Sequence, residues 1–351
     1  MGEVPRSEVL AFEEDSVPTS EEAVTVSERT PREQVVEGES SGTGAGLEVG
    51  MALPTFGELE GLERIGGVGP GARWVEELGF ESVWVGDVMT GDGTPSLESV
   101  VAVATAAAST DRIQVGFSVL VLPLRPVAWT AAQIAALQHV SKDRVLLGVG
   151  SGGFPGAAFW DAVGVPRRDR GARTDAALRV LRQLIAGERT TLEHEPHQPA
   201  LTLAPGAAVP PILVGGGGSE AILRRAAKYG DGWFPSIVTP DGLATGVRRL
   251  RELAAKRDRP MPGITVGVQL VAGNDKTARS ARNSLVRKLV DTQGMAPKVA
   301  NAVPVSGTPE QVAERFADFA AAGAGRLVVA PSGGDWSGRC EFVAEAQALL
   351  S

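Results

Sequence analysis

From residue 47 onward, short apolar runs alternate with helical patterns eight times, and no other feature of the chain restricts its fold as strongly. The strand-like runs fall at 47–53, 82–85, 113–120, 144–149, 211–214, 232–234, 264–271 and 327–329. Between them lie helical patterns at 71–78, 97–108, 127–140, 219–229 and 243–256, with a last one at 340–350. Another places Ala177, Leu178, Leu181, Leu184 and Ile185 on one apolar stripe before Gly187. Thr308-Pro309-Glu310-Gln311 is a helix start with a side-chain cap, proline at the first position and a capping-box glutamine. Such an alternation predicts an α/β fold, a closed (β/α)8 TIM barrel. The competing doubly wound sheet would carry a dinucleotide fingerprint after its first strand, followed by an acidic residue about 20 residues later, and neither is present. The pattern lapses at 190–211, read as an inserted hairpin or loop, and again in a charged segment at 274–302.

Two strand-like runs break off in glycine. One ends at Ser151, Gly152 and Gly153, the other at Gly215, Gly216, Gly217 and Gly218. In a barrel both ends lie on the C-terminal rim, where ligands bind. Glycine lets backbone approach a ligand and aim several N–H groups at it, and a helix starting after Gly218 adds an end that favours phosphate. Two tight βα turns are the alternative. Asp87, just past the second strand, is read either as an active-site residue or as a turn residue accepting backbone hydrogen bonds. Trp233 is read either as a wall of a ligand pocket or as core. Arg167, Arg168, Arg170 and Arg173 read as a solvated face paired with Asp169 and Asp175.

Charge excludes one class of partner. Residues 1–46 hold 11 acidic and 3 basic side chains, which accounts for the whole net charge of −8, and the remainder balances at 31 of each sign. No basic excess exists to displace counterions from phosphates, so nucleic acid is not expected. The acidic segment is rich in Glu, Ser, Thr, Pro and Gly and reads as a disordered tail, with one domain over 47–351. No stretch approaches the roughly 20 apolar residues of a membrane span, and no basic-then-apolar leader opens the chain. A cytoplasmic protein without membrane attachment is the expectation. The single cysteine, Cys340, reads as a buried structural thiol, and His194 and His197 lack a supporting cluster of metal ligands.

Further residues carry a resemblance. Ser118-Val119-Leu120 through Pro123-Leu124-Arg125-Pro126, then Ala131 to Leu137, Ser141, Arg144 and Leu147 to Gly152, resemble the luciferase-like monooxygenase superfamily. Val49 to Gly57, Trp84-Val85-Gly86-Asp87, Tyr229 to Trp233 and Gly307 to Glu310 match it in the same order. The resemblance implies a barrel that holds FMN or the deazaflavin coenzyme F420. By the same resemblance, Ser118 and Val119 form a strand bulge, often with a non-prolyl cis peptide, that presses on the cofactor ring. Ser151, Gly152 and Gly153 would contact the cofactor's side chain, and Gly215 to Gly218 its phosphate. Asp87 corresponds to a polar residue near the ring and is the candidate catalytic group.

The implied activity is an oxidoreductase acting on a small organic substrate, by deazaflavin hydride transfer or by FMN-peroxide oxygenation. The strand at Ser118 and the turn at Ser151 resemble the deazaflavin branch more. FMN would need a separate flavin reductase or a nicotinamide, and no nicotinamide site is visible in the sequence. One departure stands out: many members place His after the aspartate, and this chain has Val88, which removes a common proton donor. That motivates one alternative, a flavin-binding barrel without turnover; another is an unrelated barrel enzyme that uses Gly215 to Gly218 to bind a phosphorylated metabolite. Substrate choice is expected to rest on residues 154–166, with Phe154, Phe159 and Trp160 as an apolar lid, and on the 190–210 insertion. Alanine-rich helices and the resemblance allow a homodimer.

Overall fold

The computed structural model describes residues 46–57, 59–153, 158–332 and 335–350. Eight strands, β1 (Glu48–Ala52), β2 (Ser82–Val85), β3 (Gln114–Phe117), β4 (Val145–Gly150), β5 (Ile212–Gly215), β6 (Gly232–Phe234), β7 (Gly263–Ala272) and β8 (Arg326–Pro331), pair in parallel in chain order. β8 pairs with β1 through Glu48↔Arg326 to Met51↔Val329, which closes the ring. The predicted TIM barrel is therefore the fold. β2 and β4 are buried at every residue, as strands covered on both faces must be.

Side-chain size at alternate positions explains how the barrel interior fills. Trp84 and Phe234 point inward with ring centroids 5.3 Å apart, edge to face at 72°. Leu146, Leu213 and Val328 pack around them. The space for Trp84 is left by glycine: a Cβ at Gly50 would lie 2.7 Å from its indole nitrogen, and one at Gly116 would overlap its ring. The indole N–H donates to Ser82 Oγ at 2.7 Å, so the buried donor is satisfied. Outward-facing strand residues form the larger core against the helices.

Most predicted elements are present with ends shifted by a few residues. The Thr308 capping box opens the helix Pro309–Ala321 as expected, and the insertion is a hairpin pairing Thr190–Thr191 with Ala200–Leu201. The segment at 274–302 folds as helices Lys276–Gln293 and Pro297–Ala302, which share an apolar cluster of Val286, Leu289, Ala300 and Val303. An unpredicted strand, Val305–Gly307, pairs with the far end of β7, while β6 pairs with its beginning. Cys340 is fully buried, and burial pushes its thiol pKa well up. Among the described residues no helix is long and apolar enough to cross a membrane, and no three His, Cys, Asp or Glu gather as a metal site. The acidic segment before Gly46, and Phe154, lie outside the described residues.

Candidate functional site at the barrel mouth

The third strand departs from the run expected at 113–120. Gly116 pairs with Leu146, yet Leu120 pairs with Val149, so three residues of this strand face two of β4. The extra residue makes a bulge at Ser118–Val119, and that peptide bond is cis. Strand 2 fixes both sides of it: Ser118 N–H donates to Val85 O at 2.8 Å, and Val121 N–H donates to the Asp87 carboxylate at 2.8 Å. Asp87 thus replaces a backbone rung that β2 no longer offers.

The bulge throws Val119 across the inner wall as a wedge. A Cβ at Gly150 would lie 2.6 Å from Val119 Cγ2, and one at Gly215 would lie 2.9 Å from both Val119 methyls. A Cβ at Gly148 would overlap the Phe117 carbonyl oxygen. The glycine clusters therefore divide in two. Gly215 makes room for Val119, Gly216 (φ +129°) for Ile222, and Gly152 (φ +71°) for Trp160. Gly153, Gly217 and Gly218 face open space, with nothing within 4 Å of a Cβ. After Gly218 the helix Glu220–Tyr229 starts at Ser219 without a side-chain cap. Its first residue, Glu220, is turned to Arg249 and Arg224; Arg249 chiefly, with Arg224 behind it, holds that carboxyl down to about 2, so its charge is already matched.

Beside these turns lies a cleft of about 1040 Å³. Its walls come from the ends of β1, β2, β3 and β8 and from β7, and include Thr55, Phe56, Val88, Ser118, Gln269 and Trp336. Ser151 to Gly153 and Gly215 to Gly218 follow β4 and β5, so they occupy the other half of the same face, with Ser118 at the border. Glu60, Glu63 and Lys288 are exposed at the cleft; among the described lining residues there is no His, Tyr or Cys. Sequence reasoning reached this half of the mouth at Ser118 and Val88 but named no site residue after β1, β7 or β8, where the run around Thr55 and Phe56 was the legible sign.

Two candidates sit differently from the roles expected of them. Trp233 has no exposed surface, packs against Gly246 under the helix Pro240–Ala255, and is not among the residues lining the mouth cleft. It is core, because its position on β6 points outward; its indole N–H donates to Gly216 O at 3.0 Å and so steadies the glycine turn. Asp87 is at the rim, but four donors occupy its carboxylate: Val121 N–H, Ser99 Oγ at 3.0 Å, and both Arg125 terminal nitrogens at 2.7 and 2.9 Å. Burial opposes the Arg125 charge, and Asp87 with Glu98 overcompensates, so its pKa is raised. Arg125 is a site residue that the sequence did not single out, since nothing in it pairs positions 38 residues apart.

Leu192 to Glu195 of the insertion, helix Arg170–Ile185 and the Leu122, Pro123, Arg125 and Val127 stretch enclose a cavity of about 80 Å³ that shares no lining residue with the mouth cleft. Trp160 is buried on Gly152, and Asp175 pairs with Arg225 at 2.7 Å in place of the neighbouring arginines.

A family model for luciferase-like monooxygenases matches residues 48–326, nearly the whole barrel. The chain belongs to that family. An uncharacterized Mycobacterium tuberculosis protein is 39% identical over 170 residues, which are 47% of this chain and 58% of that protein. The chain thus spans less than two thirds of the length of this curated relative. Among solved structures, an F420-dependent secondary alcohol dehydrogenase in complex with an F420-acetone adduct superposes with a TM-score of 0.74 at 16% identity, covering 87% of this chain and 99% of that one. The oxygenating constituent of 3,6-diketocamphane monooxygenase from Pseudomonas putida, in complex with FMN, superposes at 0.63 and 16% identity, covering 86% and 96%. The luciferase-like barrel is thus shared by relatives that use either cofactor.

Proposed function

We propose that this luciferase-like barrel is an oxidoreductase that holds a flavin-type cofactor across its mouth and a small organic substrate in the cleft beside it. The observation that carries the reading is the division of the glycines. Gly217 and Gly218 stand open at an uncapped helix start, where N–H groups favour phosphate, while their neighbours are filled by the protein's own side chains. The bound group supplies the ring chemistry, and the protein supplies orientation and exclusion of water. Ser118 lines the cleft, and Val119 holds the wall on which a ring would rest. Val88 donates no proton, and the Asp87 carboxylate is committed to holding the strand. The deazaflavin F420 is the cofactor we assign, because an open, exposed turn leaves room for the chain beyond a phosphate diester; FMN is the second reading, supported by the FMN-bound relative. The size of the cleft favours an enzyme over a binding protein without turnover.

Fluorescence-monitored titration of the purified protein with F420 and with FMN tests this. Saturable binding of one, at micromolar affinity or tighter, is the expected result. Gly217→Asp should weaken it at least about tenfold by charge repulsion, with the unfolding midpoint unchanged because the position is open. Binding of neither cofactor by folded protein would remove the proposal.

We further propose a homodimer. Helices Ser99–Ser109 and Val127–Ser141 pack side by side without one Asp, Glu, Lys or Arg between them, and expose Val101, Trp129 (69%) and Val140. A charge-free face can meet its own copy about a two-fold axis without like-charge repulsion. Sedimentation velocity should find a dimer that Trp129→Glu converts to monomer; a wild-type monomer at every concentration would refute it.

A further inference from the structure

We propose that Arg125 is a positioning residue for the cofactor, acting through Asp87 on the Ser118–Val119 bulge. This rests on the cofactor reading above and adds to it the group that sets the ring-facing wall. Toward β2, the bulge is anchored on one side by a backbone bond and on the other by the Asp87 carboxylate, while the resumed strand pairs with β4 through Leu120 and Val121. That carboxylate is 1% exposed, and a buried carboxylate needs a countercharge in good geometry to remain in place. Arg125 provides it as a two-pronged fork, one nitrogen to each oxygen, and is itself 17% exposed. Its second prong also reaches Glu98 Oε1 at 3.1 Å, and Glu98 Oε2 caps the helix Ser99–Ser109 by accepting from Val101 N–H at 2.8 Å. Ser99, the first residue of that helix, donates to Asp87 as well.

One cluster therefore ties the end of β2, the start of a helix and the strand that resumes after the bulge. Removing Arg125 leaves Asp87 charged and unmatched beside Val121, and the carboxylate must shift or take up a proton. Either change loosens the anchor of Val119, the wedge that shapes the wall toward Gly150 and Gly215. No substrate or cofactor atom needs to touch Arg125 for this effect.

The test compares cofactor dissociation constants, by fluorescence titration with F420 and FMN, for the wild type, Arg125→Met, Arg125→Lys and the paired neutral variant Asp87→Asn with Arg125→Gln. Arg326→Met serves as control: Arg326 is 15% exposed and pairs with Glu48 and Glu81 at the opposite end of the barrel. Arg125→Met should bind the cofactor about 30-fold more weakly, roughly 2 kcal/mol by the tenfold-per-1.4 relation. Arg125→Lys, which keeps the charge but not the fork, should fall between it and the wild type. The neutral pair should recover most of the loss, since an amide can accept from Val121 N–H without a buried charge. Arg326→Met should lower the unfolding midpoint yet keep the wild-type dissociation constant and the wild-type emission spectrum of the bound cofactor. Should Arg125→Met bind within twofold of wild type, or lose no more affinity than Arg326→Met, the positioning role is overturned while the cofactor reading stands. Failure of the wild type to bind either cofactor would instead overturn the cofactor reading itself.

Discussion

Gly148→Ala is expected to destabilise the barrel by about 3 kcal/mol, near the upper end for an overpacked core. The added methyl would overlap the carbonyl oxygen of Phe117, a backbone atom that the bulge pushes toward β4. No rotamer change relieves that overlap. The expected readout is a lower urea midpoint with an unchanged slope, together with loss of cofactor binding as the wall moves. Gly150→Ala offers an internal comparison, because its methyl would meet only the side chain of Val119, at 2.6 Å from Cγ2. Adding Val119→Ala should therefore rescue Gly150→Ala and fail to rescue Gly148→Ala. Equal rescue of both, or a Gly148→Ala protein as stable as wild type, would mean that the bulge is not held as described.

Arg144→Met should cost about 2–3 kcal/mol, the upper range for leaving neutral, partly buried acceptors unpaired. The guanidinium uses all its donors on neutral acceptors. Nε reaches Ser141 O at 2.6 Å, Nη1 reaches Thr110 Oγ1 at 2.9 Å and Ile113 O at 2.7 Å, and Nη2 reaches Ala107 O at 2.7 Å and Thr110 O at 2.9 Å. These carbonyls end the helix Ser99–Ser109, begin β3 and end the helix Val127–Ser141, so one side chain closes three segments. Burial lowers the pKa of Arg144, with Glu76 and Asp111 opposing, and no acid contacts it directly. Methionine fills the volume and leaves the acceptors unpaired. Lysine, with three donors on one nitrogen, should recover about half of the loss. Denaturant unfolding of the two variants measures both figures; an Arg144→Met protein within about 1 kcal/mol of wild type would show that water satisfies those carbonyls.

The barrel was legible because its signals are local. Runs such as 82–85 and 144–149 announce strands buried on both faces, and Thr308 to Gln311 spells out a helix start. The rim was legible for the same reason, since glycine after an apolar run marks a strand end. Which glycine stands open and which is filled by the protein itself was not legible. Gly215 and Gly217 look alike in sequence, and only the position of Val119, on another strand, separates them. Asp87 was found by its place after β2, but its partner Arg125, which holds that carboxylate where it anchors the strand, was not. Trp233 failed as a pocket wall on parity alone: one residue along β6, Phe234 points into the barrel. The 274–302 segment was read as merely charged because its apolar cluster is small and assembled from two helices.

The wedge at Val119 also bears on how sequences of this kind can drift. A residue on one strand and glycines on two others share a single volume, so none of these positions can be exchanged alone. A larger side chain at 150 or 215 becomes tolerable only after position 119 shrinks, and the intermediate in either order is either crowded or hollow. Descendants of this barrel should therefore change these sites in concert or not at all, and a covariance between 119, 150 and 215 is the trace that such coupled descent would leave.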